Sequence, residues 1–298
     1  MLTPASIAAL LAALLLPNTS PTNINAGQGW PTFRGADRTG VSHETGLLQE
    51  WPEGGPKLLK EYVGAGRGYS SLAIADGLMI TLGDGLSTAA EGDADEYLSA
   101  FNLATGKQVW KLKTGKPWDS GSPTWQSSRS TPTIDGNRVY VITAFGDLYC
   151  ADLKTGKEIW KKNLKDDFEG KKGDGWGYSE SPTIDGDRLI VTPGGEKSTM
   201  IALDKLTGKL IWTAVREEDR GAGHASIVIS EVGGVKVYVN TTASGALGVR
   251  ANDGKLMWSF EIDKTTCVIP TPIVRGDLVF FAAGYKRGGG AGAPSARR

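Results

Sequence analysis

The chain has 298 residues, and its 33 Lys and Arg residues balance its 33 Asp and Glu residues, so the formal net charge is zero. A zero net charge argues against a dedicated nucleic-acid binder, which needs a basic excess to displace counterions from phosphates. The 41 glycines and nine tryptophans indicate turns and packed strands rather than helices, and two histidines with two cysteines leave little from which to build a zinc cluster.

The first segment, residues 1–26, is predicted to be a signal peptide. Residues 7–16 form an unbroken apolar run that is too short to span a bilayer and has the length of a signal-peptide hydrophobic region. Ala26 is a small residue suited to cleavage, although no Lys or Arg precedes the apolar run. We therefore expect a periplasmic or secreted protein with no integral membrane span after removal of the leader. The alternative is an uncleaved N-terminal anchor.

Residues 27–61 are predicted to be a leading segment that ends in a ring-closing strand. The sequence at residues 57–62 looks like the last strand of the repeated units described next, with Lys60 where those units carry a tryptophan. Such a strand could close a ring of units against the last one.

A repeat of about 50 residues fills the region 62–284. Its most constant part is a glycine, followed in every copy by lysine and, four residues after the glycine, by a tryptophan, and successive tryptophans are 50, 52 and 46 residues apart. The glycines are Gly106, Gly156, Gly208 and Gly254, and the tryptophans are Trp110, Trp160, Trp212 and Trp258. These eight residues are predicted to dock neighbouring units together.

Each unit is predicted to contain four short strands. An upstream element recurs with the same period, and its Asp-Gly pair, as at Asp135 and Asp185, is typical of a hairpin turn. A second turn precedes the strand that ends on the tryptophan. Four strands per 50 residues, repeated, is typical of a β-propeller blade, in which the tryptophan fills the space between blades. The sequence therefore predicts an all-β propeller of four-stranded antiparallel blades.

The pattern Ala-x-Asp-x-x-Thr-Gly-Lys-x-x-Trp resembles the pyrroloquinoline-quinone (PQQ) repeat, the tryptophan-docking blade of propellers like quinoprotein alcohol dehydrogenase. This resemblance covers roughly residues 62–281, and residues 29–35 are similar to the leading segment of exported PQQ-like repeat proteins. The family also includes the scaffold lipoprotein of the outer-membrane barrel-assembly machinery. Resemblance to the dehydrogenases implies a quinone stacked between a tryptophan and a disulfide of adjacent cysteines, with Ca²⁺ beside the quinone.

The cofactor follows from the resemblance alone. The two cysteines, Cys150 and Cys267, are far apart in the sequence, and two small buried residues are a simpler interpretation of them than a disulfide. No cofactor, metal site or catalytic residue is therefore predicted, and PQQ with Ca²⁺ remains an alternative.

The blade count predicts a truncated ring. Four units are complete, the fifth supplies two strands only, and residues 285–298 are a Gly/Ala-rich tail predicted to be disordered. A truncated propeller or an altered reading frame near Lys286 would both explain this pattern. Either leaves an open arc with exposed blade edges.

In a propeller, the mouth of the central channel is lined by the loops that lead into the first strand of each unit. Their side chains predict a polar binding site for a small molecule or a peptide. The candidate residues are Tyr69, Arg129, Tyr178, Glu180 and His224. Ordinary channel-lining residues bonded to water are the alternative.

Three functions remain open. The favoured one is an exported, non-enzymatic propeller that binds or scaffolds an envelope or extracellular protein or a small molecule. The second is a PQQ-dependent quinoprotein oxidoreductase or a degenerate relative of one. The third is a truncated fragment without independent activity.

Overall fold

A computed structural model of the chain describes residues 29–85, 95–119 and 125–292. The described residues form nineteen β-strands and contain no helix that is long and apolar enough to cross a membrane. In chain order the strands are β1 (Ala73–Ala75), β2 (Leu78–Gly83), β3 (Glu96–Asn102), β4 (Gln108–Gly115), β5 (Thr133–Asp135), β6 (Arg138–Ile142), β7 (Asp147–Asp152), β8 (Glu158–Asn163), β9 (Thr183–Asp185), β10 (Arg188–Val191), β11 (Met200–Asp204), β12 (Leu210–Ala214), β13 (Val228–Val232), β14 (Val235–Thr242), β15 (Gly245–Arg250), β16 (Leu256–Glu261), β17 (Ile273–Arg275), β18 (Leu278–Ala283) and β19 (Gly288–Gly292).

The strands form five antiparallel sheets, which are the blades of a β-propeller. Blades 1 to 4 are the four-stranded sheets β1–β4, β5–β8, β9–β12 and β13–β16, and blade 5 is the three-stranded sheet β17–β19. Each blade pairs its strands in sequence order, so the first strand is innermost and the fourth is the outer edge. The inner strands of neighbouring blades pack together, as β1 does with β5 and β5 does with β9. This architecture confirms the fold predicted from the repeat.

The turn before the fourth strand of blades 2 and 3 is built by the repeated Asp-x-x-Thr-Gly sequence. In blade 2, Asp152 Oδ1 accepts hydrogen bonds from Thr155 N at 2.9 Å and Thr155 Oγ1 at 2.7 Å. Gly156 has a φ of +70°, a left-handed conformation that costs glycine nothing. Asp204 accepts the same pair of bonds from Thr207 in blade 3. The sequence folds locally in this way because the carboxylate holds the loop and the glycine closes it.

Three of the four predicted docking tryptophans reach the turn of the next blade. Trp110 Nε1 donates to Leu153 O at 3.0 Å, and its ring covers Gly156, where a Cβ would lie 2.4 Å from Cε3. Trp160 and Trp212 repeat the bond at 3.2 and 3.1 Å, to Lys205 O and Ala251 O, over Gly208 and Gly254 respectively. Glycine is required because any side chain would displace the ring. Among the described residues, the Nε1 atom of Trp258 has no hydrogen-bond partner.

Lys60 takes the place of a docking tryptophan at blade 1. Its Nζ donates to Leu103 O at 3.1 Å and to Ala104 O, and its side chain covers Gly106. Residues 57–62, all of which the structure describes, nevertheless belong to no strand. The position predicted for Lys60 is thus observed, whereas the predicted strand is not, because no neighbouring edge pairs with this segment.

Apolar side chains between the blades form four clusters, one at each junction of neighbouring blades. The cluster between blades 1 and 2 contains Leu82, Leu98 and Tyr149, and that between blades 3 and 4 contains Ile190, Trp212 and Leu247. Because strands alternate their two faces, each blade contributes one face to the cluster before it and the other to the cluster after it.

The leading segment crosses the inner strands of three blades. Ile74 N of blade 1 donates to Trp30 O, and Ile134 N of blade 2 donates to Pro31 O, both at 2.8 Å. Arg38 donates to Ser181 O and Pro182 O, next to the inner strand of blade 3, at 3.0 Å each. The segment therefore bonds to backbone groups in, or next to, the innermost strands of these blades.

Two sequence expectations concern the chain ends. The predicted disorder of residues 285–298 needs correction, since Gly288–Gly292 form β19 and pair with β18, with Val279 opposite Gly292. This third strand of blade 5 was missed because its glycines carry no side-chain pattern, whereas backbone pairing needs none. The predicted signal peptide, residues 1–26, and residues 293–298 lie outside the described residues.

Candidate functional site

A ladder of hydroxyl groups links the inner ends of the blades. The backbone N–H of one hydroxyl residue donates to the side chain of the equivalent residue in the next blade. The bonds run from Ser71 N to Thr131 Oγ1 at 3.1 Å, from Thr131 N to Ser181 Oγ at 3.0 Å, from Ser181 N to Ser226 Oγ at 3.0 Å, and from Ser226 N to Thr271 Oγ1 at 3.3 Å. The ladder fixes equivalent positions in consecutive blades at the same level.

Two residues before each of the first four of these five hydroxyl residues, four different side chains occupy one equivalent position of the repeat. They are Tyr69, Arg129, Ser179 and His224. Backbone bonds hold the first and last of them alike, because Tyr69 N donates to Ser128 O and His224 N to Val268 O, both at 2.7 Å. The repeat thus brings residues that are far apart in sequence to one side of the propeller.

Aromatic rings surround the arginine of this set. Tyr69 and Trp125 stack with ring centroids 6.2 Å apart, and Trp125 meets Trp176 edge to face at 6.4 Å. Tyr69 is 53% exposed and Trp125 is 52% exposed. The Arg129 guanidinium lies 5.9 Å from the Tyr69 ring centroid and 5.8 Å from that of Trp176. We call Tyr69, Trp125, Arg129 and Trp176 the aromatic–arginine surface.

The charge of Arg129 has no carboxylate within ion-pair distance among the described residues. Its Nη atoms donate to backbone carbonyls, to Trp125 O at 2.9 Å and to Trp176 O at 3.3 Å. Burial lowers the pKa of Arg129, while Tyr69 and Asp174 act in the opposite direction. An arginine remains charged at neutral pH even so. The aromatic–arginine surface is therefore suited to a ligand with apolar and negatively charged groups.

A second group of side chains forms a chain of hydrogen bonds next to this surface. Ser179 Oγ lies 2.5 Å from His224 Nδ1, and His224 Nε2 lies 2.9 Å from Asp174 Oδ2. Lys172 Nζ donates to Asp174 Oδ1 at 3.1 Å and to Ala222 O at 3.0 Å. We call Ser179, His224, Asp174 and Lys172 the serine–histidine cluster.

Burial and charge determine the protonation of this cluster. Burial alone would raise the pKa of Asp174, but the hydrogen bond with His224 and the charge of Lys172 hold it at about 2. Burial lowers the pKa of His224, an effect that the bond to Asp174 opposes only in part. At neutral pH the carboxylate is therefore ionised and the imidazole is neutral. The bonding network places the imidazole proton on Nε2, facing Asp174, and the lone pair on Nδ1, facing Ser179.

The structure brings together three of the five predicted site residues. Tyr69, Arg129 and His224 share the equivalent position described above. Tyr178 is 1% exposed, and its hydroxyl donates to Pro193 O at 2.8 Å. Glu180 is 3% exposed and accepts a hydrogen bond from Thr192 N at 2.7 Å. Residues on either side of Ser179 face inward because successive side chains of an extended segment point to opposite sides.

Sequence reasoning missed Ser179, Asp174 and Lys172. Ser179 could have been found by aligning the units on their hydroxyl residues, which places it in register with Arg129 and His224. No repeated pattern marks Asp174 or Lys172, since both lie in the long loop between β8 and β9. Their approach to His224 depends on the path of that loop.

The residues present do not fit the quinone site that the sequence resemblance implies. That site needs adjacent cysteines, whereas Cys150 lies in β7, Cys267 lies in the loop before β17, and both are buried and free. Within the described ranges, no group of three or more His, Cys, Asp or Glu side chains is arranged to hold a metal ion. We therefore derive no chemical step through a quinone.

Comparison with known proteins gives one family match. The sequence profile of a family described as outer membrane protein assembly factor BamB matches residues 94–298. No curated protein matches the chain. The structure of BamB from Moraxella catarrhalis is 14% identical, with 72% of this chain and 68% of that chain covered and a TM-score of 0.46.

Quinohemoprotein alcohol dehydrogenase from Comamonas testosteroni is 16% identical, with a TM-score of 0.54. The alignment covers 88% of this chain and 47% of the dehydrogenase, so the chain spans about half of that protein's length. At this identity the likeness shows a shared fold.

Proposed function

The chain belongs to the family described as outer membrane protein assembly factor BamB, and from this premise we propose that it is a binding and scaffolding propeller of the cell envelope. The family description supports an envelope location, and the PQQ-like repeat fold supplies a series of loops on one side of its blades. The proposed role is recognition of another protein rather than redox catalysis.

The observation that carries this proposal is the aromatic–arginine surface. Two aromatic side chains, Tyr69 and Trp125, are half exposed and stacked on each other, beside Arg129, which has no carboxylate within ion-pair distance in the described part of the chain. Tyr, Trp and Arg are the residues most enriched among the energetic centres of protein interfaces. Such a group on the surface of a rigid scaffold has the composition of a binding site.

The chemistry of this surface selects the kind of partner. The rings offer broad apolar faces, and the guanidinium offers donors and a positive charge that favour a carboxylate. We expect the partner to present an extended segment with apolar and acidic side chains. Contact would bury the exposed half of Trp125, a large aromatic side chain.

Site-specific photo-crosslinking in the producing cells tests this proposal. A photoreactive amino acid placed at Trp125 should give a discrete adduct with an outer-membrane or envelope protein. Val109, which is 50% exposed on the outer strand β4, is the matched control position and should give none. Arg129→Ala should weaken the adduct at position 125.

Two results would contradict the proposal. One is the same adducts at positions 125 and 109, which would indicate random collision. The other is an adduct whose yield does not depend on Arg129, which would remove the aromatic–arginine surface from the interface.

The quinoprotein alternative has a direct test. Titration of the folded chain with PQQ and Ca²⁺, followed by absorbance and melting temperature, would show saturable stabilisation if a quinone site exists. The mismatch of the cysteines leads us to expect no shift.

A further inference from the structure

The serine–histidine cluster has the connectivity of a nucleophilic site. We propose that Ser179 is a nucleophile whose hydroxyl, deprotonated by His224, takes the acyl group of a carboxylic ester. The proposal rests on the bonded chain from Ser179 Oγ through His224 to Asp174. It extends beyond the binding function and does not depend on it.

The orientation of the base supports this role. Asp174 uses its two oxygens separately, Oδ2 for the Nε2–H of His224 and Oδ1 for Lys172 Nζ and the backbone N–H of Trp176. This arrangement holds the imidazole in the tautomer whose lone pair faces the serine. In the usual serine hydrolase arrangement, Nε2 faces the serine and Nδ1–H faces the carboxylate. Here Nδ1 faces Ser179 and Nε2–H faces Asp174, but each bond has the same chemical function.

Lys172 keeps the cluster in its active protonation state. Its ammonium group lies 3.4 Å from His224 Nε2 and balances the charge of Asp174. A second proton on His224 would make the imidazole positive, and the positive charge of Lys172 disfavours this. The lowered pKa of His224 agrees with this geometry. The imidazole is consequently available as a base at neutral pH.

The cluster is partly buried beside the aromatic–arginine surface. The side chains of Lys172, Asp174 and His224 are 6–9% exposed, and Ser179 is also partly buried. Burial and hydrogen bonds thus hold the base and its orienting groups in place, as a serine nucleophile requires for acyl transfer.

The aromatic–arginine surface defines the substrate class. Trp176 lies three residues before Ser179, and its carbonyl accepts a hydrogen bond from Arg129. An ester with an aromatic or apolar group would lie against these rings, and a negative charge on it would face the guanidinium. We therefore expect esters of aromatic or aliphatic carboxylic acids as substrates.

The reaction balances with water as the second reactant. Ser179 Oγ forms a bond to the carbonyl carbon while its proton moves to His224 Nδ1. The bond from that carbon to the alcohol oxygen breaks, and the alcohol leaves with the proton from Nδ1. Water then attacks the acyl-serine, giving one carboxylic acid and restoring the serine hydroxyl.

The chain contains a matched control for the histidine. His43 Nε2 lies 3.1 Å from Asp37 Oδ2 on the surface, where the two side chains are 78% and 64% exposed. Ser259 on β16 is an exposed serine and serves as the control for the nucleophile. His43→Gln and Ser259→Ala should therefore leave the reaction unchanged.

An active-site-directed fluorophosphonate and p-nitrophenyl acetate test the proposal on the full chain. Intact-mass and peptide mapping should place one phosphonyl adduct on Ser179, and Ser179→Ala should lose both the adduct and the ester hydrolysis. His224→Gln should react about 100-fold more slowly, the scale of general-base catalysis. An adduct elsewhere, or equal rates with and without His224, would overturn the proposal.

The wild-type protein provides a readout that does not depend on the folding of a variant. Its labelling rate should rise with pH through one ionisation below pH 6.5 and then level off, since the base acts when deprotonated. The charged groups that face the imidazole are Asp174, Lys172 and Arg129. A rate that keeps rising through neutral pH would contradict the role of His224. Crosslinking at Trp125 in the Ser179→Ala protein shows separately whether binding survives.

Discussion

Two carboxyl groups in the interior of the propeller are bonded to neutral partners. Glu180 accepts hydrogen bonds from Thr192 N and Thr192 Oγ1, and Glu96 accepts them from Thr114 Oγ1 and Ser128 Oγ. Burial raises the pKa of Glu180 from 4.5 to about 8 and that of Glu96 to about 7. The hydroxyl and backbone donors oppose this effect without cancelling it. Both groups therefore favour the protonated form in the folded protein.

This preference makes stability depend on pH. Because the pKa of Glu180 is higher in the folded than in the unfolded chain, the protonated carboxyl group stabilises the folded protein. This contribution to the free energy of unfolding is complete below pH 4.5 and is lost as the pH rises towards 8. We expect the melting temperature to fall between pH 5 and pH 8.5 when followed by circular dichroism. Glu180→Gln, which is neutral at every pH, should flatten this profile, leaving the smaller slope due to Glu96. An unchanged slope in the variant would contradict the assignment.

At the scale of the element, neighbouring blades are held together by the contact between a tryptophan on one blade and a turn on the next. Trp212 is 8% exposed, covers Gly254 and donates to Ala251 O. Trp212→Ala should lower the free energy of unfolding by roughly 3–5 kcal/mol, measured by urea denaturation, because it opens a cavity and leaves a carbonyl unpaired. Trp258→Ala is the control, since Trp258 Nε1 has no partner in the described part of the chain, and should cost less. A loss under about 1 kcal/mol at Trp212 would contradict the docking role.

The glycine side of the same contact gives a second comparison. Gly156 and Gly136 both have positive φ, +70° and +56°, but only Gly156 lies under a tryptophan ring. Gly136→Ala should cost about 1–2 kcal/mol from backbone strain alone. Gly156→Ala should cost roughly a further 1–3 kcal/mol, because its Cβ would lie 2.4 Å from Trp110 Cε3. If the two variants lose equal amounts of unfolding free energy in urea denaturation, the packing of the Trp110 ring does not require glycine at position 156.

The elements differ in how far the sequence predicts them. Turns and docking tryptophans were predictable because they repeat, and the position of Lys60 followed from the same register. Strand β19 was not, because its sequence of four glycines and an alanine forms a strand through backbone pairing alone. The contact between Asp174 and His224 joins a loop after blade 2 to a loop after blade 3, so it depends on the three-dimensional path of both.

At the scale of the whole molecule, the leading segment ties three blades together. Repeat proteins are held mainly by contacts between neighbours, so a segment that spans three blades adds a connection the repeat itself does not contain. Trp30 and Pro31 accept hydrogen bonds from the inner strands of blades 1 and 2, and Arg38 donates to blade 3. Burial lowers the pKa of Arg38 to about 10, although the charge of Glu180 acts against this shift. The guanidinium remains protonated at neutral pH.

Removing this connection should reduce both stability and cooperativity. Arg38→Ala leaves Ser181 O and Pro182 O without their charged donor, and we expect a loss of about 3 kcal/mol in urea denaturation, the scale of two charge-assisted hydrogen bonds. The dependence on urea should also become shallower, because fewer blades would unfold together. Arg38→Lys should not restore either quantity, since one ammonium group cannot reproduce the two-pronged geometry. Arg275→Ala on the exposed strand β17 is the control and should leave the curve unchanged. If Arg38→Ala behaves like Arg275→Ala, the blades hold together through their own interfaces, and the leading segment follows their assembly rather than supporting it.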